Sequence, residues 1–189
     1  QVLNVTPNLT TTGSSTGGIA EFQLADAVVG LQGSGTAQAP HLVLYLDASG
    51  RKNLNFSVDL RDLDLNDNAV QQISVQYRIG DSGLWTLVPG GYIADASAGG
   101  SATLVTKLNI ALPAVLNNQS QVEVRILTAD AIGSDEWIGV DNISVTSEAA
   151  GLDTTAPTLA SSTPSDDAFA IAPGADLTFD FDEVIAAGS

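Results

Sequence analysis

The fold is decided by Gly133-Ser-Asp-Glu-Trp-Ile-Gly-Val-Asp-Asn-Ile-Ser-Val145, which joins a tryptophan and acidic side chains to a β-prone run. Trp137–Val140 and Ile143–Val145 have the β-branched and aromatic composition typical of strands. Strands this apolar are stable only when other strands cover them. We therefore interpret the stretch as the closing strands of a sandwich, with Trp137, Ile138, Val140, Ile143 and Val145 completing its core.

The preceding residues supply the other strands. Leu54, Phe56, Val58 and Leu60 alternate with polar residues, which is the pattern of a strand with one buried face. No segment has the length and periodicity of a helix. The strands predicted before residue 133 are Ala20–Leu24, Val28–Leu31, His41–Leu46, Leu54–Leu60, Ile73–Ile79, Trp85–Val88, Leu104–Leu112 and Val122–Ile126. The predicted fold is all-β, an antiparallel two-sheet jelly-roll-like sandwich.

The composition changes after these strands. No Lys or Arg follows Arg125, and Pro157, Pro164 and Pro173 punctuate an acidic tail. The tail has one clear alternating strand, around Leu177–Phe181, and so few strands do not bury their own apolar face. We predict an extended leader at 1–18 with at most a short strand at Val2–Val5. The sandwich follows at 19–147, a linker at 148–157 and an incomplete second domain at 158–189.

Charge and composition exclude several classes of function. The chain carries 22 acidic against 6 basic residues, a net charge of −16, which argues against binding nucleic acid by phosphate neutralisation. An acidic surface suits solubility, a salty medium or divalent cations, and counting does not separate these three. No cysteine is present for a disulfide, a zinc-thiolate site or a thiol nucleophile. No apolar run is long enough to predict membrane insertion.

Two resemblances add to this interpretation. Residues 17–147 resemble a β-sandwich module of large secreted bacterial proteins, which often precedes endonuclease/exonuclease/phosphatase domains or lies among adhesin repeats. The matching segments are Gly30–Thr36, Pro40–Leu44, Leu60–Asp64, Asp67–Gln71, Gln76–Arg78 and Ser134–Val145. The resemblance implies a further strand upstream, so we expect a neighbouring chain or segment to fill one sheet edge.

The second resemblance concerns the tail. Asp153–Thr158, Ser162–Asp166 and Leu177–Val184 resemble the opening of a bacterial Ig-like domain of the kind found in S-layer and surface proteins. It implies that the tail contains the first strands of an Ig-like sandwich.

Two acidic clusters are candidate calcium sites, since Ca²⁺ takes six to eight oxygen ligands. The turn at 59–68 contains Asp62, Asp64 and Asp67, but it lacks the glycine and glutamate of an EF-hand, so a solvated acidic turn is favoured. Asp135, Glu136 and Asp141 form the second cluster. Asp141 resembles the closing-strand aspartate with which jelly-roll sugar-binding modules hold a structural Ca²⁺. The alternative, that Asp141 caps a bulge and the others face water, is equally open.

The aromatic residues and the lone histidine point away from catalysis. Most tryptophans and tyrosines lie in strand patterns, where core packing is the usual role. Tyr92, beside Gly90 and Gly91 in a predicted loop, is the aromatic residue best placed to bind a ligand. With His41 as the only histidine, nucleophilic catalysis lacks its usual parts, and we predict that the chain is not an enzyme.

These observations favour a non-catalytic extracellular or cell-surface module, structural or adhesive, within a multidomain or self-assembling bacterial protein. Its expected partners are neighbouring domains or copies of the same protein. The alternative is a carbohydrate-binding module, with glycans as partners, attached to a secreted hydrolase encoded elsewhere in the chain.

Overall fold

The computed structural model describes residues 5–13, 17–64, 69–98, 105–131, 135–151 and 156–183. The chain divides into two compact units, Gln1–Ala150 and Gly151–Ser189.

The described residues of the first unit form ten strands. They are β1 (Val5–Leu9), β2 (Gly18–Phe22), β3 (Val28–Gln32), β4 (His41–Leu46), β5 (Arg51–Asp62), β6 (Ile73–Ile79), β7 (Thr86–Ile93), β8 (Val105–Ala111), β9 (Val122–Thr128) and β10 (Ile138–Ala149). A 3-10 turn lies at Ala114–Leu116, where Pro113 and the short apolar run leave no room for an α-helix.

These strands form two sheets. The larger has six strands in the order β1-β2-β3-β10-β5-β8, and the smaller has four in the order β4-β9-β6-β7. All neighbouring pairs are antiparallel except β1 and β2, which are parallel. The predicted all-β two-sheet sandwich is confirmed.

The core lies between the sheets, where the alternating apolar residues meet. In β5, Leu54, Phe56, Val58 and Leu60 are at most 3% exposed. They belong to one apolar cluster with Val122, Val124 and Ile126 of β9. Each such side chain contributes about 1.5–3 kcal/mol by leaving water. The period of two in the sequence therefore decides which face of each strand is buried.

A second, smaller apolar cluster surrounds Trp137 at one side of the larger sheet. Trp137 is 1% exposed and meets the fully buried Phe22 edge to face, with ring centroids 5.1 Å apart. Ala20, Val28 and Leu63 complete the cluster. Trp137 is thus a core residue, as predicted, but it lies in this separate cluster.

The predicted pair of closing strands is wrong, because 138–149 form one twelve-residue strand, β10. The pairing of β10 with β5 shifts register between Asp141 and Ser144, and Asn142 lies at φ 49°. The Asp141 carboxylate accepts a hydrogen bond from the Asn142 N–H at 2.7 Å, which holds this bulge. The bulge leaves Ile143 39% exposed, so the prediction that Ile143 completes the core is also wrong.

The leader supplies more structure than predicted. A strand lies at Val5–Leu9 and pairs with β2 through Val5 and Ile19, whereas the predicted strand at Val2–Val5 lies, except for Val5, outside the described residues. Leu9 also accepts a hydrogen bond from the Gln23 N–H at 2.7 Å. The chain's own residues therefore cover the sheet edge at β2, which contradicts the expectation that a neighbouring chain fills it. β1 has five residues, the same length as the strand β2 that it covers.

The described residues of the second unit contain an antiparallel pair, β11 (Leu159–Thr163) and β12 (Thr178–Phe181). Its described apolar side chains are exposed, including Phe169 at 91% and Leu177 at 72%. The Ig-like assignment of this tail stays a prediction. Among the described residues, no helix is long and apolar enough to cross a membrane.

Candidate binding face on the four-stranded sheet

The outer face of the smaller sheet collects polar and aromatic side chains, because alternate residues of its strands point away from the core. Strand β9 lies between β4 and β6, so each outward residue of β9 has a partner on either side. Glu123 is paired with Tyr45 and Arg78, Arg125 with Val43 and Gln76, and Leu127 with His41 and Ser74. We call this surface the outer platform. Its residues are His41, Val43, Tyr45, Ser74, Gln76, Arg78, Trp85, Leu87, Tyr92, Glu123, Arg125 and Leu127.

Hydrogen bonds hold the charged centre of the platform. The Arg78 Nε donates to Glu123 Oε2 at 2.8 Å, and Arg78 Nη2 lies 2.8 Å from the same oxygen. These side chains are only 21% and 6% exposed. Beside them, the Arg125 Nε donates to Gln76 Oε1 at 2.9 Å, and Nη2 donates to the same oxygen. Charge-assisted bonds of this kind are strong and directional, so the polar groups are held in place before any ligand arrives.

Trp85 lies against both guanidinium groups. The ring centroid is 4.6 Å from the Arg78 Cζ and 4.3 Å from the Arg125 Cζ, within the range of cation–π attraction. Burial lowers the pKa of the Arg125 guanidinium, and the neighbouring Arg78 charge lowers it further. The guanidinium groups of Arg78 and Arg125 therefore lie side by side, both against Trp85.

Aromatic rings flank this charged centre. Tyr45 is 67% exposed on β4, and Tyr92 is 51% exposed on β7. Tyr92 lies within a strand, opposite Ser74, and not in the predicted loop. Strand β7 passes close to the backbone of β6 at Gly91, where an added Cβ would lie 2.9 Å from the Val75 carbonyl oxygen. The absence of a side chain at Gly91 therefore lets the strand continue. The platform thus offers rings to a ligand on both of its outer strands.

A cavity of about 440 Å³ opens at the Tyr45 end of the platform. Its lining includes Tyr45, Asp47, Gly80, Asp81 and Glu123. Its walls therefore present carboxylates and backbone groups next to an exposed ring. Hydrogen bonds from Ser49 hold the pKa of the Asp47 carboxyl below its ordinary value. The cavity is large enough to accept part of a small ligand that lies across the platform.

The structure describes two of the three acids in the first predicted cluster, and one of them, Asp62, is buried rather than solvated. Asp62 is fully buried, and its Oδ1 accepts a hydrogen bond from the Asp64 N–H at 3.2 Å. Asp62 is the register partner of Ile138, which follows the fully buried Glu136 by two residues. Asp67 lies outside the described residues. The interpretation of Asp62 as part of a solvated turn is therefore wrong, because the core-facing side of β5 extends to this residue.

The structure separates the second predicted cluster. Glu136 is fully buried, and its Oε1 accepts a hydrogen bond from the Ala69 N–H at 3.2 Å. Asp135 accepts one from the Ala131 N–H at 2.7 Å. Asp141 instead points to the outer face of the larger sheet, where Arg61 lies 3.2 Å from its Oδ2. Among the described residues, no three histidine or acidic side chains gather to hold a metal ion.

Calcium binding stays a prediction, now centred on Asp62 and Glu136 because both are buried carboxylates at one end of the sandwich. Binding to the native state alone would raise the melting temperature. We expect a higher Tm in 1 mM Ca²⁺ than in EGTA, and no such difference in Asp62→Asn. Asp141→Asn is the control and should keep the calcium response. An unchanged Tm across millimolar Ca²⁺ contradicts the prediction.

The centre of the platform was not predicted from the sequence. The residues at this centre occupy outward positions of alternating strands, and the sequence alone gives them no role: Gln76, Arg78, Glu123 and Arg125. The available signal was that two of the chain's six basic residues point outward from two strands of alternating pattern. Only the strand order β4-β9-β6-β7 shows that these residues are neighbours.

No known family profile matches the sequence, and no curated protein matches it. Among solved structures, a family 28 carbohydrate-binding module specific for non-crystalline cellulose is similar with a TM-score of 0.46 and 14% identity. The match covers 77% of this chain and 99% of that module. A family 61 carbohydrate-binding module bound to β-1,4-galactotriose has a TM-score of 0.43 and 9% identity, covering 65% and 72%.

An adhesin domain of Lys-gingipain from Porphyromonas gingivalis is also similar, with a TM-score of 0.38 and 18% identity, covering 64% of this chain and 74% of that domain. What the present chain binds has to be inferred from its own residues.

Proposed function

We propose that this chain is a non-catalytic, extracellular carbohydrate-binding module and that the outer platform is its binding surface. The observation that carries the proposal is the hydrogen-bonded set Arg78–Glu123 and Arg125–Gln76, bordered by the exposed rings of Tyr45 and Tyr92 and the half-buried ring of Trp85.

A saccharide needs both parts of this surface. A pyranose ring has a face of C–H groups that packs against an aromatic ring, and a rim of hydroxyls that exchange hydrogen bonds. Tyr45 and Tyr92 supply rings on the two outer strands, with planar polar side chains between them. Such a layout suits an extended chain of sugars that crosses the four strands.

The rigidity of the centre also favours binding. Association costs free energy for every side chain that must be ordered. The Arg78 and Arg125 side chains are already held by Glu123, Gln76 and Trp85. A ligand therefore meets donors and acceptors in fixed positions. A purely structural module has no need of an exposed, organised face of this composition, which favours carbohydrate binding over the structural or adhesive role.

The proposal is tested by screening the protein on an array of plant, microbial and animal glycans, followed by calorimetric titration of the best ligand. We expect Trp85→Ala to weaken binding about thirtyfold, because aromatic residues in the middle of binding surfaces typically contribute 2 kcal/mol or more. Tyr45→Ala and Tyr92→Ala should each weaken it by a smaller factor.

The matched control is Phe169→Ala, which removes an exposed aromatic ring from the second unit. This variant should bind as the unaltered protein does. The proposal is overturned if no glycan on the array binds, or if the three platform variants bind as well as Phe169→Ala.

A further inference from the structure

We propose that the glycan bound by the outer platform is anionic, and that Arg125 binds its carboxylate or sulfate group. This inference rests on the proposed function and specifies its ligand class.

The charge on the platform is opposite in sign to that of the chain. The protein has a net charge of −16 and only six basic residues. Two of them, Arg78 and Arg125, lie side by side on the platform, against the single carboxylate of Glu123. The centre of the platform therefore keeps one positive charge. An acidic protein gains nothing in solubility from this arrangement, and a ligand of negative charge accounts for it.

Arg125 is the cation that remains available. Arg78 is paired with Glu123 at 2.8 Å, whereas the partner of Arg125 is the neutral amide oxygen of Gln76. Among the described residues, no carboxylate lies within 4.0 Å of the Arg125 guanidinium. Its bonds to Gln76 use Nε and Nη2, so the Nη1 side of the fork can donate to a ligand. A guanidinium edge presents its donors in the geometry that a carboxylate or sulfate accepts.

The surroundings of Arg125 strengthen the attraction. The side chain is half-buried, and the Arg78 charge lies close enough to lower its pKa. Coulomb energies are larger where water is partly excluded. A bound anion would relieve the repulsion between these two guanidinium groups. Charges elsewhere on the acidic surface are screened beyond about 8 Å at physiological ionic strength.

The two parts of the platform differ in charge, which predicts how a ligand is oriented on it. The cavity at the Tyr45 end is lined by Asp47, Asp81 and Glu123, which repel an anion and accept hydrogen bonds from hydroxyls. Arg125 and Trp85 lie toward the middle of the face. We therefore infer that neutral hydroxyls face the cavity while the anionic group lies over Arg125.

Three galactose-based polymers distinguish a neutral, a carboxylated and a sulfated ligand. They are neutral β-1,4-galactan, polygalacturonate with its carboxylates, and a sulfated carrageenan. Their oligomers are titrated in 0.15 M NaCl into the full chain, into Arg125→Gln and into Arg125→Lys. Lys107→Gln is the matched control, because it removes one positive charge from the edge of the larger sheet, where Lys107 is 74% exposed. Melting curves confirm that each variant is folded.

We expect an anionic oligomer to bind more tightly than galactan, and Arg125→Gln to lose about tenfold or more of that affinity. Arg125→Lys should recover part of it, while Lys107→Gln should lose none. Preference for polygalacturonate identifies a carboxylate ligand, and preference for carrageenan identifies a sulfate.

Two results overturn the inference while leaving the proposed function intact. One is tighter binding of neutral glycans, on the polymers or on the array, with Arg125→Gln unchanged. The other is anionic binding that falls no more in Arg125→Gln than in Lys107→Gln. Absence of binding to every glycan, anionic and neutral, overturns the proposed function and this inference together.

Discussion

Replacement of Trp137 by alanine is expected to lower the free energy of unfolding by about 3–5 kcal/mol, the range typical of large aromatic residues removed from a core. Trp137 is 1% exposed and packs edge to face on Phe22. A Cβ added at Gly30 would lie 3.0 Å from the Trp137 ring, so the site is tightly filled. The deletion therefore leaves a cavity that its neighbours do not easily close.

Urea denaturation followed by circular dichroism measures this effect as a shift of the midpoint. Trp85→Ala is the matched control, because its side chain is half-buried on the platform rather than in the core. Trp85→Ala should lose less than half as much stability as Trp137→Ala, but it should weaken glycan binding. Trp137→Ala, where it is folded, should bind glycan as the unaltered protein does. A loss below about 1 kcal/mol in Trp137→Ala would contradict the packing described here.

Gly33→Ala is expected to destabilise the sandwich by about 3 kcal/mol, the upper part of the range for overpacking. A Cβ at Gly33 would lie 2.1 Å from the Ala129 carbonyl oxygen and 2.4 Å from its carbon. Both atoms belong to the backbone, so no rotamer change relieves the contact. Gly33 follows β3 and Ala129 follows β9, so the two sheets approach each other closely at this corner.

The matched control is Gly35→Ala, two residues further along, where an added Cβ meets nothing within 4 Å. It should change stability by less than about 0.5 kcal/mol. Thermal melts of the two variants, measured side by side, decide the question. Equal melting temperatures for Gly33→Ala and Gly35→Ala would show that the corner is looser than the structure indicates.

The strands were largely predictable because the period of two is local. Strands β4 and β6 have the bounds expected from their apolar patterns, His41–Leu46 and Ile73–Ile79. Strand β10 was divided in two because the bulge at Asp141–Ser144 interrupts the alternation without ending the pairing. Strand β1 was not predicted beyond Val5 because Val5–Leu9 has no apolar alternation to mark it.

The binding face was not predictable in the same way. Arg78 and Arg125 are 47 positions apart, as are Tyr45 and Tyr92, and no local pattern connects them. Likewise, Asp135, Glu136 and Asp141 looked like one cluster because they are close in sequence. Because successive residues of an extended chain alternate between faces, Asp141 points to Arg61 on the outer face, while Glu136 turns into the interior.

The sequence by itself determined that this protein is an all-β, acidic module with its apolar residues on one face of each strand, since alternation and charge depend only on local order. The tertiary structure alone decided which outward residues meet. Because β9 lies between β4 and β6, Glu123 and Arg125 stand beside Arg78, Gln76 and Tyr45. Pairing between distant strands sets this register, and it converts scattered polar residues into one surface.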